Sequence, residues 1–335
     1  MATEIEPLLD YVINIGGSEL IVTEGAPSSV RLAGKVCCIP DAPAVEFGSL
    51  RAFLGAIEGE SGSFIGGPWA NTKWRVRYFR EALGNSAVFR PLMAECPNFA
   101  DLGGPQTMNN LLGMSAGLVV FAGPACSGKT MTATAYVNAL CGSRILRACF
   151  LDSAKEFPVR AGESLVFENS NGSVAEKIEQ ALRCGCDFFW MGDFDSENLL
   201  PMLRAAESGA LVVCTVTAGN SVGALEALLS KVAPENRTLA RTMLAAALKA
   251  VVVQRLLPGA NEGSGAVPAW EILYNSQNAA SFIRSGDYFK LPSVIAASAS
   301  EGMLLMDDYL AELVRAGYIA REEAGKFASN AARLG

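Results

Sequence analysis

Polar and apolar positions over residues 5–15 fall at helical spacing and predict an amphipathic helix at the start of the chain. Two short apolar segments follow, at 18–22 and 29–32, broken by Gly and Pro, and these read as strands. The alternation in 73–79, followed by 87–90, predicts a hairpin pair. The first ninety-odd residues therefore read as a small α+β module without a nucleotide motif of its own. Pro, Gly, Asn and Asp then concentrate around Pro97, Asn98, Asp101, Gly103, Gly104 and Pro105, and the inter-domain linker is expected at 98–108.

From Gly117 onward the pattern changes. Apolar runs at 118–121, 148–151, 188–191 and 211–217 alternate with helical stretches after Lys129, at 174–183 and at 199–206. That alternation predicts an α/β domain whose sheet is mostly parallel and covered on both faces. The tail beyond Gly302 reads as helical and amphipathic. The longest apolar run, 243–253, is interrupted by Lys249 and is far shorter than the roughly 20 residues of a membrane span.

Length and charge narrow the picture. The 335 residues suit about two domains. Thirty-four acidic against 27 basic side chains give a net charge of −7, which argues against nucleic acid as a partner. The nine cysteines are scattered and the chain has no histidine, so the expectation is reduced core cysteines and no structural metal. The first residues are acidic and lack a signal-peptide pattern, so a cytoplasmic protein is expected.

The strongest chemical signal is the run Gly123, Pro124, Ala125, Cys126, Ser127, Gly128, Lys129, Thr130, which follows directly on the apolar strand at 118–121. Strand, Gly-x-x-x-x-Gly-Lys-Thr and helix in that order form a phosphate loop. The glycines let backbone N–H groups curl around a phosphate at a helix N-terminus. Lys129 supplies charge to the β- and γ-phosphates, and the Thr130 hydroxyl suits Mg²⁺. The expected ligand is ATP with Mg²⁺.

Downstream, the strand at 188–191 runs into Gly192 and Asp193. Asp193 reads either as a carboxylate that holds Mg²⁺ through water or polarises the attacking water, or as an ordinary helix N-cap. Asp152 and Glu156 lie four residues apart after another strand, where either reaches toward a γ-phosphate or sits in a solvated turn. The strand at 211–217 leads into Ala218, Gly219, Asn220 and Ser221, polar groups that suit a γ-phosphate sensor.

In this order the motifs resemble the PilT-type pilus-retraction (twitching motility) ATPases, within the wider type II/IV secretion-ATPase superfamily. The likeness runs from Gly17-Ser18-Glu19-Leu20-Ile21-Val22 through the phosphate loop and Gly192-Asp193 to Gln254-Arg255-Leu256-Leu257-Pro258, Trp270-Glu271-Ile272-Leu273 and Gly317-Tyr318-Ile319. It implies a PAS-like N-terminal α+β domain over 1–97 and a RecA-like P-loop ATPase domain with C-terminal helices over 109–335. It also implies a homohexamer working cytoplasmically at the inner membrane, with a pilus platform protein or a paralogous active ATPase as partner. By the same resemblance Glu156 is the catalytic base, Asp193 the second-motif carboxylate, and Arg75 and Arg90, with Lys73, basic residues that reach a γ-phosphate.

Several positions depart from the family pattern. Ala210 and Thr217 stand where the family carries the two histidines of its histidine box, and no arginine follows Asp193. Aspartate replaces glutamate at Asp152 and Asp193, shortening each by a methylene. Of the retraction-linked stretch, only its second arginine remains, at Arg284. These departures imply slow hydrolysis with binding retained, and the alternative of a nucleotide-binding regulatory or structural subunit.

Overall fold

A computed structural model describes residues 5–32, 35–55, 59–81, 84–92, 95–151, 157–167, 172–261 and 265–334, with the backbone alone described at Asp193. The chain divides into two compact units, Met1–Glu95 and Cys96–Gly335.

The first unit contains α1 (Ile5–Asn14), β1 (Glu19–Thr23), β2 (Ser29–Leu32), β3 (Lys35–Cys38), α2 (Ser49–Leu54), β4 (Ser61–Trp69), β5 (Thr72–Glu81) and β6 (Gly84–Leu92). Its six strands form one antiparallel sheet in the order β3-β2-β1-β6-β5-β4. The expected helix and hairpin are present, because their apolar positions share a face: Ile5, Leu9 and Val12 of α1 pack with Leu20, Val22, Trp74, Val76 and Phe89 of the sheet. On β5 the alternation leaves Lys73 and Arg77 exposed on the opposite face.

The second unit begins earlier than the sequence pattern suggests. Residues Phe99–Leu102 and Gln106–Gly113 fold as two 3-10 helices, and Phe99, Met108 and Leu111 are buried in the second unit's core. Trp270 Nε1 donates to Gly103 O at 3.3 Å and Tyr274 Oη to Thr107 O at 2.7 Å. The turn-forming residues of the stretch expected as a linker thus space out apolar anchors of the second unit, a role that composition alone does not reveal.

The remaining elements are β7 (Gly117–Gly123), α3 (Lys129–Ser143), β8 (Arg147–Phe150), β9 (Leu165–Phe167), α4 (Val174–Arg183), β10 (Phe188–Asp193), α5 (Leu199–Glu207) and β11 (Leu211–Thr217). Next come α6 (Ser221–Leu229), α7 (Arg237–Ala247), β12 (Leu248–Pro258) and β13 (Ala266–Tyr274). The tail holds α8 (Gln277–Ser285), α9 (Leu291–Ala297), α10 (Met306–Arg315) and α11 (Arg321–Gly325). The sheet order is β13-β12-β7-β11-β10-β8-β9, parallel throughout except for β13 at the edge.

Every residue of β7 is buried, as a strand covered on both faces requires. The side chains of Val119 and Phe121 belong to the cluster packed by α3, whereas Leu118 and Val120 belong to the cluster packed by α5 to α7. The long apolar run at 243–253 proves to be two elements. Helix α7 stops at Ala247 and β12 starts at Leu248, where Asn275 Nδ2 donates to the carbonyls of both Ala245 and Leu248 at 2.9 Å. An uninterrupted apolar run carries no periodicity that separates a buried helix from a buried strand, so this break is set by the tertiary partner.

Five of the nine cysteines are buried and all are free, while Cys37, Cys38, Cys126 and Cys184 are exposed. Among the described residues no helix is long and apolar enough to cross a membrane.

Candidate nucleotide-binding site

β7 carries the chain to the C-terminal edge of the parallel sheet and releases it at Gly123, between β11 and β12. Thr217 of β11 is the register partner of Gly123, and Ala218 N donates to Gly123 O at 3.2 Å. On the other side Val253 of β12 pairs with Ala122, which brings Gln254 beside the start of the loop.

The loop itself turns tightly. Ser127 N donates to Pro124 O at 3.3 Å, Cys126 adopts φ 61° and Gly128 φ 83°. Gly128 is the N-cap of α3, in the left-handed region that glycine enters without a Cβ penalty, and no side chain caps the helix. The first-turn N–H groups of α3 are therefore left for an anion, and the helix dipole adds to its attraction. Lys129 Nζ folds back over the loop to within 3.5 Å of Pro124 O. Thr130 lies half-buried on the same turn and Cys126 is exposed.

Both loop glycines are sites of close approach. A Cβ on Gly123 would collide with Ser127 Oγ and come within 2.5 Å of the Gln254 carbonyl oxygen. On Gly128 it would meet Gln254 Nε2 at 3.0 Å. The loop is thus held against β12 with no room for larger residues, and its open side is lined by backbone donors. This cradle fits a chain of phosphates, and the Thr130 hydroxyl is a hard oxygen donor suited to Mg²⁺.

Asp193 ends β10 at the same sheet edge. The register with β11 slips between Met191 and Asp193, and the Thr215 hydroxyl donates to Gly192 O at that slip. Phe194 N donates to Thr215 O at 3.1 Å. The capping duty left open for Asp193 falls to Asp195, whose carboxylate accepts from Glu197 N at 3.2 Å and pairs with Lys231 at 2.8 Å. The hydrogen bond from Lys231, joined by that from Glu197 N, holds the Asp195 carboxyl below its usual range.

Asp152 and Glu156 lie outside the described residues. Their flanks are described: Leu151 N donates to Trp190 O at 2.8 Å, and Phe157 packs against the cluster that contains Tyr136 and Leu140 of α3. Of the two positions expected from the resemblance to replace histidines, Thr217 is exposed beside Gly123, whereas Ala210 is buried just before the opposite end of β11. Only Thr217 therefore stands at the phosphate-loop edge of its own chain.

Arg75 and Arg90 belong to the first unit, where they are cross-strand partners on β5 and β6. Arg90 Nε meets Glu19 Oε1 at 2.5 Å, and Arg31 Nε meets Glu19 Oε2 at 2.7 Å. Burial alone would raise the Glu19 carboxyl, but the Arg31 hydrogen bond and the Arg90 charge outweigh it and hold the group below its usual range. Arg90, expected as a phosphate-reaching side chain, is thus also half of an internal charge lock.

Sequence reasoning did not single out Thr132, Thr215, Glu19 or Gln254 as site residues. For Gln254 the available signal is a polar side chain directly after the apolar run 250–253. The side chain is only 4% exposed, and its Oε1 accepts from Thr132 Oγ1 at 2.6 Å.

Comparison with known proteins agrees with this geometry. The family model described as "Type II/IV secretion system protein" matches residues 70–282. The uncharacterized protein YggR of Escherichia coli K12 is 30% identical, over 90% of this chain and 95% of its own length. The type IV pilus retraction ATPase PilT of Pseudomonas aeruginosa PAO1 is 26% identical over 96% and 97%. Among solved structures, the pilus retraction motor PilT with bound ADP superposes with a TM-score of 0.75 at 24% identity, covering 97% of both chains.

Proposed function

The chain belongs to the type II/IV secretion system protein family, and we propose that it is an ATP-binding, ATP-hydrolysing motor that works as a homohexamer on a type IV pilus or a related secretion system. The observation that carries this reading is the helix N-terminus at Gly128, left without a side-chain cap and set between β11 and β12 at the sheet edge. In this reading the loop N–H groups hold the β-phosphate and Lys129 moves from the Pro124 carbonyl onto the β- and γ-oxygens. Mg²⁺, once bound with the nucleotide, would supply positive charge against that developing on the phosphates. Thr130 would hold it from the loop and Asp193 from the end of β10. Glu156 takes the proton of the attacking water. The pilus platform protein of the inner membrane is the proposed partner.

A steady-state phosphate-release assay on the purified protein tests the enzyme reading. Release well above that of a Lys129→Ala variant supports it, and release equal to the variant's sinks it.

A second reading is favoured by one observation. At the phosphate-loop edge Thr217 offers only a short, exposed hydroxyl beside Gly123, a group that neither takes up nor gives up a proton near neutral pH. A subunit that binds nucleotide but turns it over slowly, and that joins a ring with an active paralogue, fits a loop edge of that kind. Homohexamers that hydrolyse ATP steadily without any partner would exclude it.

A further inference from the structure

Resting on the nucleotide-binding reading above, we infer that Gln254 is a positioning residue for the phosphate loop, holding the first turn of α3 through Thr132. Thr132 and Gln254 are 122 residues apart in sequence and both are buried. A threonine inside a helix ordinarily turns its hydroxyl to the carbonyl four residues back, as Thr134 does here, donating to Thr130 O at 2.9 Å. Thr132 instead spends its hydroxyl on Gln254 Oε1, at 2.6 Å. With that oxygen taken, the amide nitrogen is the end that faces Gly128, 3.0 Å from the place of its Cβ.

The clamp reaches the ligand cradle through one bond. Thr132 N donates to Gly128 O at 3.0 Å, the bond that closes the first turn of α3. Whatever fixes Thr132 therefore fixes Gly128, the residue whose φ of 83° aims the loop donors. The Gln254 carbonyl oxygen meanwhile limits Gly123 at the other end of the loop. One residue of β12 thus bears on both glycines, and its register with β7 sets the height of the cradle. Gln254 is under the loop and acts on phosphate only through the backbone that it holds.

The test uses the full chain, with a fluorescent ADP titration and a nucleotide-free thermal midpoint for each variant. Thr132→Val removes the hydroxyl at nearly constant volume, Gln254→Ala removes the clamp, and Thr132→Ser restores the hydroxyl. Leu310→Ala, in the buried core of α10, serves as a control that costs stability elsewhere. Because each change leaves a buried polar partner unsatisfied under the loop, Thr132→Val and Gln254→Ala are expected to weaken ADP binding by about tenfold or more. Their effects should be non-additive, because each breaks the same contact. Thr132→Ser should recover most of the affinity, and Leu310→Ala should lower the midpoint while leaving the ADP affinity unchanged. Should Gln254→Ala fail to fold, the Thr132→Val and Thr132→Ser pair decides.

Wild-type ADP affinity in folded Thr132→Val would overturn the inference. So would an affinity loss that tracks the thermal midpoint in every variant, Leu310→Ala included. A wild-type protein that fails to bind ADP at all would instead overturn the nucleotide-binding reading on which the inference rests.

Discussion

The hydroxyl of Thr215 on β11 donates to the carbonyl of Gly192 on β10, at the point where the register between these strands slips. The bond gives the Gly192 carbonyl a side-chain partner where the ladder is irregular and pins the turn that delivers Asp193. Thr215 is buried, so no water is at hand to replace it. Thr215→Val is expected to cost about 1–3 kcal/mol in chemical denaturation, the penalty of a buried polar group left unsatisfied. If Asp193 works with Mg²⁺, the same change lowers turnover more than ADP affinity, which parallel binding and phosphate-release measurements separate.

Cys126 is the one non-glycine residue of the second unit described with positive φ, at 61°. A side chain in the left-handed region costs roughly 1–2 kcal/mol, which glycine avoids. Comparing Cys126→Gly with Cys126→Ala isolates that cost, since both lose the thiol. The glycine variant is expected to unfold at the higher denaturant concentration, with a gap of about 1 kcal/mol. Equal midpoints would mean that the loop relaxes around a Cβ without strain.

The exposed thiol of Cys126 also reports on the ligand. Maleimide labelling followed by peptide mass mapping should show Cys126 protected by ATP with Mg²⁺, while the exposed Cys37, Cys38 and Cys184 label as before. Unchanged labelling of Cys126 at saturating ATP would place the nucleotide elsewhere.

The Glu19 lock gives the first unit a pH dependence of definite sign. Its folded carboxyl titrates below its ordinary value of 4.5, so the unfolded chain takes up the proton first as pH falls. Its contribution is complete above 4.5 and is lost as pH drops through the lowered folded value. Denaturation curves taken between about pH 7 and about pH 3 should show wild-type stability falling more steeply in that window than that of Glu19→Gln. Parallel profiles would show that the charge pairs with Arg31 and Arg90 contribute nothing to folding.

The parts of this molecule legible in sequence are those where a local pattern and the tertiary outcome coincide. The phosphate loop is one, because a buried strand, two glycines and a helix start are contiguous. The β5–β6 hairpin is another, since its alternation and its burial describe the same face. What stayed hidden depends on partners distant in sequence. The end of α7 is set by Asn275, the 99–113 stretch is held by Trp270 and Tyr274, and Thr132 finds its acceptor 122 residues away. Nothing local in the sequence ties Arg90 to its carboxylate partner, Glu19, which stands on β1, 71 residues earlier. No periodicity encodes such pairings.

The central claim is that the loop from Gly123 to Thr130 binds the phosphates of ATP. Isothermal titration of the full chain with ATP in Mg²⁺, beside Lys129→Ala, tests it most directly. Removing one partner of a close charge pair costs about 2–5 kcal/mol. The account therefore predicts saturable binding of one ATP per chain that weakens at least about thirtyfold in Lys129→Ala, with an unchanged unfolding midpoint without nucleotide. Equal affinity in the two proteins, or no saturable binding by the wild type, would contradict it.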